Sequence, residues 1–140
     1  MIIRQTDLEI IMNTLEWQNS WSVGNSSLDA DHKRLIDIIQ KVGQGRTRPL
    51  DMARIISDLE EYTKYHFARE EKLMEKANLP GLDEHKRSHQ AFVEWLDTVR
   101  QTFAISQHAR SVLIDTVYDY LQDWLKNHIL QIDMSYKGLI

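Results

Sequence analysis

Leu82-Asp83-Glu84-His85-Lys86-Arg87-Ser88-His89-Gln90-Ala91-Phe92-Val93-Glu94-Trp95-Leu96-Asp97-Thr98-Val99-Arg100-Gln101-Thr102-Phe103 sets Leu82, His85, His89, Phe92, Leu96, Val99 and Phe103 at alternating steps of three and four. That spacing is the seam of a helix packed in a bundle, and it predicts a helix capped around Asp83. Downstream, Ile114, Val117, Leu121, Trp124 and His128 repeat the period. Upstream, a helix opening after Pro49 with Asp51 in its first turn carries Ile55, Leu59, Tyr62, His66, Glu70 and Leu73. It should run to about Ala77, because Asn78-Leu79-Pro80-Gly81 cannot continue a helix. The first helix is expected to begin near Leu28 to Asp31, with Ser26, Ser27 and Asp29 available as caps. It presents His32, Leu35, Ile39 and Val42 and stops at Gly43-Gln44-Gly45. Only five glycines and two prolines interrupt 140 residues, and no alternating pattern marks a strand. The fold class is therefore all-α: an up-down-up-down antiparallel four-helix bundle over residues 17–140, preceded by an N-terminal arm, residues 1–16. Ile2, Ile3, Leu8, Ile10, Ile11, Met12 and Leu15 give that arm two readings, a short amphipathic helix lying on the bundle or a docking segment for a protein partner.

Composition removes several functional classes. Seventeen Lys and Arg against 21 Asp and Glu leave a net charge of −4, with no clustered basic segment, so no nucleic-acid partner is expected. The absence of cysteine excludes disulfides, thiolate nucleophiles, iron–sulfur clusters and Cys-based zinc sites. Any metal must be held by His and carboxylate. Asp7 and Glu9 stand where a signal peptide needs an apolar run, and no apolar stretch is long enough to span a bilayer, which predicts a cytoplasmic protein without membrane association. No His-Glu-x-x-His or Gly-x-Ser-x-Gly supports protease or serine-hydrolase chemistry.

His32, His66, His85, His89 and His128 all fall on inward stripes. A buried imidazole without a partner costs about 1–3 kcal/mol, so a bundle built for stability alone would use Leu or Ile there. His66 and Glu70 are four apart on one helix, and His85 and His89 are four apart on another, so each pair can aim two ligands at one point. Imidazole mixed with carboxylate suits iron, manganese, copper or zinc rather than calcium or magnesium. Five imidazoles exceed the capacity of one four-coordinate zinc, which makes two metals the natural count, with Glu70 as the first bridge. Asp133 is the candidate second bridge or else a solvated carboxylate. At about 100° per residue it would swing off the His128 face, so a ligating Asp133 requires the last helix to end or distort between them. His108 lies in a polar link and reads as solvent-exposed, and Glu71, about 100° from the core stripe, as a surface residue.

These motifs in order resemble the hemerythrin family, bacterial and hemerythrin-like domains included, over residues 17–138. Trp17 and Trp21-Ser22-Val23-Gly24 match its opening, followed by Leu28-Asp29-Ala30-Asp31-His32, His66-Phe67-Ala68-Arg69-Glu70-Glu71 and His85-Lys86-Arg87-Ser88-His89. His128-Ile129-Leu130-Gln131-Ile132-Asp133 and Tyr136 complete the pattern. The resemblance implies an oxo- or hydroxo-bridged non-haem centre of two iron ions. One ion would be held by His85, His89 and His128 and the other by His32 and His66, with Glu70 and Asp133 bridging. It implies reversible dioxygen binding at the two-histidine iron, serving oxygen carriage, storage or sensing rather than catalysis, with nitric oxide and peroxide as further candidate ligands. Two ferrous ions, two carboxylates and a hydroxide leave a core charge of about +1, against +4 for the bare ions.

Reversibility asks for apolar walls around the open position. Leu125, Trp124, Phe67 and Ile129 are the expected wall by position and by resemblance. The alternative is a di-iron oxidase, peroxidase or iron-handling protein. Such bundles favour paired Glu-x-x-His motifs, and this chain has none.

Overall fold

Asn25 starts the first long helix, its side-chain oxygen accepting from the backbone N–H groups of Ser27 and Leu28, both at 3.1 Å. The computed structural model describes residues 15–46, 51–105 and 110–140. Within them lie four α-helices, α1 (Ser26–Gln44), α2 (Met52–Lys76), α3 (Leu82–Ile105) and α4 (Arg110–Asn127). No strand occurs among the described residues, so the chain is an all-α four-helix bundle. His108 and residues 1–14 of the expected arm lie outside the described residues. Leu15 is fully buried in the core, and its carbonyl accepts from the Gln40 side-chain amide.

Two caps differ from expectation. Asp29 does not cap α1; it accepts from Ser22 Oγ at 2.5 Å and the Val23 N–H at 2.9 Å, clasping the incoming segment to the helix's first turn. Asp83 does not cap α3 but sits within its first turn, which begins one residue earlier. Asp51 caps α2 through a bond from the Arg54 N–H at 3.2 Å. Asn78 at φ 58° and Gly81 at φ 85° reverse the chain between α2 and α3.

The α2 stripe is also rotated from the expected one. Met52, Ile56, Leu59, Thr63, His66, Phe67, Glu70 and Met74 are buried, whereas Ile55, Tyr62 and Leu73 are only half-buried. α2 packs along both α1 and α3, so its buried arc is wide, and the expected stripe marks one edge of it. α1 packs along α4 as well. There Gly43 lets the Tyr118 ring approach so closely that a Cβ would meet it at 2.7 Å. α3 and α4 meet through rings: Phe92 stacks on Trp124 at 3.6 Å, and Trp95 lies 4.1 Å from Tyr120.

The apolar interior has two parts. The larger runs along the bundle from Leu15, Ile39 and Leu59 to Phe67, Leu96, Leu125 and Ile129. The smaller joins Val23, Leu28, Met74 and Tyr136. Phe67 from the larger part stacks on His89, and Tyr136 from the smaller reaches Glu70. The histidines therefore sit where the two parts meet.

Candidate metal centre

Each helix delivers its polar side chains to one depth in the bundle. α1 supplies His32, α2 supplies His66 and Glu70 one turn apart, and α3 supplies His85 and His89 one turn apart. His128 follows the end of α4. All five imidazoles and Glu70 are at most 5% exposed.

The distortion required between His128 and Asp133 is present and has a definite form. Residues His128–Ile132 are a π-helix, and the Asp133 N–H bonds to the His128 carbonyl, five residues back. Five residues of α-helix would put Asp133 roughly 140° away from His128. An i→i+5 turn makes the same five residues about one full turn, so Asp133 returns beneath His128. A 3₁₀ turn, Asp133–Tyr136, then places Tyr136 three residues and about one turn further on. Its hydroxyl donates to Glu70 Oε2 at 2.7 Å. Asp133 is fully buried and is not a solvated tail residue.

The carboxylate oxygens divide the imidazoles into two groups. Glu70 Oε1 lies 2.6 Å from His85 Nε2, 3.1 Å from His89 Nε2 and 3.7 Å from His128 Nε2. Asp133 Oδ1 lies 3.2 Å from His85 Nε2 and 3.1 Å from His128 Nε2. The other oxygens face the remaining pair: Glu70 Oε2 is 3.4 Å from His66 Nε2 and 3.8 Å from His32 Nε2, and Asp133 Oδ2 is 3.1 Å from His32 Nε2. Two ligand atoms about 2.1 Å from one ion and at right angles stand about 3 Å apart. The donor atoms of Glu70, His85, His89 and His128, and those of His32, His66, Glu70 and Asp133, form two groups that could each hold a metal ion.

Hydrogen bonding points the same way. His32 Nε2, His66 Nε2 and both Asp133 oxygens are buried without a hydrogen-bond partner although they lie close together. Donor atoms crowded at one buried point need a shared proton or a shared metal ion, because without either each carries a desolvation cost of about 1–3 kcal/mol. Imidazole and carboxylate donors in this number suit a transition-metal pair.

Surrounding groups orient the donors. His66 Nδ1 lies 3.0 Å from Asp31 Oδ2, which fixes the proton on Nδ1 and leaves Nε2 facing the centre. Asp31 also accepts from Tyr62 at 3.2 Å and pairs with Arg69 at 3.5 Å. Burial alone would raise the Asp31 carboxyl, but His66, Arg69 and Tyr62 hold it below its ordinary value. Tyr62 is pushed up to about 12 by burial and by the Asp31 charge. Phe67 stacks on His89 at 3.8 Å and Trp124 on His128 at 4.6 Å. These two of the four expected wall residues thus cover the three-histidine group, while Phe67 also stands 5.9 Å from His66. Leu125 and Ile129 are buried in the same cluster. Glu71 departs from its surface reading: its side chain is 23% exposed, with Oε2 3.6 Å from His89 Nδ1. Asp31 and Tyr136 received no role from the sequence, since neither is at ligand spacing from a histidine of its own helix.

Without metal the cluster stores protons. Burial would lower His32 and His85, but Asp133 and Glu70 beside them raise each from 6.5 to about 9. Glu70 is correspondingly held well below the usual carboxylate range by the surrounding imidazoles, against the effect of burial. A histidine raised in the folded state stabilises it fully below pH 6.5 and loses that contribution as pH rises through about 9. Thermal melts of the metal-free protein should therefore fall across this window, and metal loading at neutral pH should release protons into unbuffered solution. A flat melt profile with no proton release would show that the imidazoles are already neutral.

Comparison with known proteins agrees with this arrangement. The Hemerythrin HHE cation binding domain model matches residues 23–140. Myohemerythrin of Riftia pachyptila is 34% identical over 122 residues, covering 87% of this chain and 90% of its own length. A bacteriohemerythrin of Stenotrophomonas maltophilia is 32% identical over 127 residues, covering 89% of this chain and 80% of the relative. A hemerythrin-like protein of Naegleria gruberi is 30% identical over 133 residues, covering 93% and 97%. A family model spanning all four helices, together with these relatives along nearly the full length, establishes that the chain belongs to the hemerythrin family.

Proposed function

We propose that His85, His89 and His128 hold one iron ion and His32 and His66 a second, with Glu70 and Asp133 bridging, and that the centre binds dioxygen reversibly. The observation that carries this reading is the three-to-two division of imidazoles between the two ends of the same pair of carboxylates. Equal bridging with unequal histidine count leaves the His32 and His66 side short of one donor, and a metal with an open position admits a small ligand. When bound, the two ions supply the coordination position and the electrons that dioxygen chemistry needs.

The protein's own part is to hold and to exclude. Asp31 orients His66, and Tyr136 holds Glu70 in its bridging pose while offering its hydroxyl proton at Oε2. Burial and the two carboxylates raise the Tyr136 hydroxyl above its ordinary value, so it remains a donor at any physiological pH. Leu125, Ile129, Phe67 and Trp124 keep water and its protons from the centre, which favours release of dioxygen over its reduction.

An oxygen electrode separates carriage from turnover. The reduced, iron-loaded protein should take up about one dioxygen per two ions and return it under vacuum, cycle after cycle. Continued consumption in the presence of reductant would favour oxidase chemistry. Leu125→Ser, which places a hydroxyl in the apolar wall, should shorten the lifetime of the oxygenated form about tenfold or more, followed by loss of its visible band. An unchanged lifetime would remove Leu125 from the wall.

A further inference from the structure

The centre is buried, yet a metal ion must reach it, and two surface cavities end on histidines of the site. One, of about 370 Å³ between α2 and α3, ends on His89 and Phe67. Its walls carry Lys64 and Lys86 against the single carboxylate of Glu71, and Phe67 lies flat on His89 at 3.8 Å. Lys64 is paired with Glu60 at 3.2 Å, so a cation there meets Lys86 beside Glu71 and then the Phe67 ring lying over His89.

The other cavity, of about 420 Å³, is lined by Met74, Pro80, Gly81, Glu84, His85, Ser88, Ile132 and Ser135. Its only ionisable walls are Glu84, exposed at the mouth, and His85 at the floor. The Met74 sulfur and the Ser88 and Ser135 hydroxyls add neutral donors. One wall comes from the α2–α3 turn and α3; the other is the segment that carries Asp133. Ile132 ends the π-helix and Ser135 lies in the following 3₁₀ turn.

We propose that this cavity is the loading port of the metal centre: a divalent cation is drawn in by Glu84, passes to His85 at the floor, and goes on from there to the buried donors. The proposal rests on the metal-binding reading above. No covalent or redox step is involved; the ion exchanges waters for protein donors, and the imidazolium protons it displaces leave to solvent.

Loading of the metal-free protein with cobalt(II), followed by stopped flow, tests the port. Trp124, stacked on His128 at 4.6 Å, supplies a fluorescence reporter of occupancy, and the visible spectrum of cobalt a second. Glu84→Lys should slow loading about tenfold at low salt, because a charge at the mouth steers the ion. Added salt should slow the unsubstituted protein more than Glu84→Gln. Ser88→Phe, which fills the cavity, should slow both uptake and removal by a chelator while leaving the final metal content unchanged. Lys86→Gln, at the other cavity, should leave the rate within about twofold. If Ser88→Phe fails to fold, the two Glu84 variants decide the matter from the surface. Unchanged rates in the Glu84 variants, with full final loading, would overturn the port while leaving the metal centre intact. Failure of the unsubstituted protein to take up any ion would overturn the metal-centre reading and the port with it.

Discussion

Glu70→Ala is expected to empty the centre, lowering retained metal from about two ions per chain to none after desalting. Glu70 Oε1 and Oε2 face different histidine groups, so with two ions bound as proposed its removal would take a donor from both at once. It would also remove negative charge that two cations beside five buried imidazoles would need. Glu71→Ala is the matched control, since Glu71 lies one residue on, is partly exposed and stands 3.6 Å from the outer nitrogen of His89. It should keep both ions. Metal analysis of the two purified variants, with far-UV circular dichroism to check folding, decides the point; two ions retained by a folded Glu70→Ala would contradict a bridging role.

Removing metal from the unsubstituted protein should cost the next largest share of stability. A ligand that binds only the folded state and is present at a thousand times its dissociation constant stabilises by about 4 kcal/mol. For a domain of this size that corresponds to a fall of roughly 10 °C or more in Tm. The physical source is local: His32 Nε2, His66 Nε2 and both Asp133 oxygens lack hydrogen-bond partners in the folded chain. Calorimetry of the metal-loaded and metal-free forms at pH 7 measures the difference. Equal melting temperatures would mean that the ions are bound too weakly to hold the 128–136 segment in place.

The helices and the convergence of histidines were legible because both depend on local period. A step of three or four residues fixes which side chains share a face, whatever packs against it. His32, His66, Glu70, His85 and His89 follow from that rule alone. Asp133 does not, because five residues of α-helix point it away; the sequence demanded a distortion near His128 without specifying that it would be a π-helix followed by a 3₁₀ turn. Asp31 and Tyr136 were hidden for a different reason. Asp31 reaches a histidine on another helix, and Tyr136 reaches Glu70 from 66 residues away, so neither contact leaves a periodic trace. The expected α2 stripe lies at one edge of the true buried arc: Ile55, Tyr62 and Leu73 fit the period, but the helix turns Ile56, Thr63 and Phe67 inward between α1 and α3. Glu71 was placed by angle alone, which leaves out how far a long side chain can fold back along its helix.

Anaerobic titration of the metal-free protein with ferrous iron, followed by tryptophan fluorescence and by metal analysis after desalting, tests the central claim most directly. Fluorescence should fall as the ring stacked on His128 gains a metal neighbour, and the content retained should be about two ions per chain. One ion or none retained after desalting would contradict a centre in which five histidines and two carboxylates share a pair of metals.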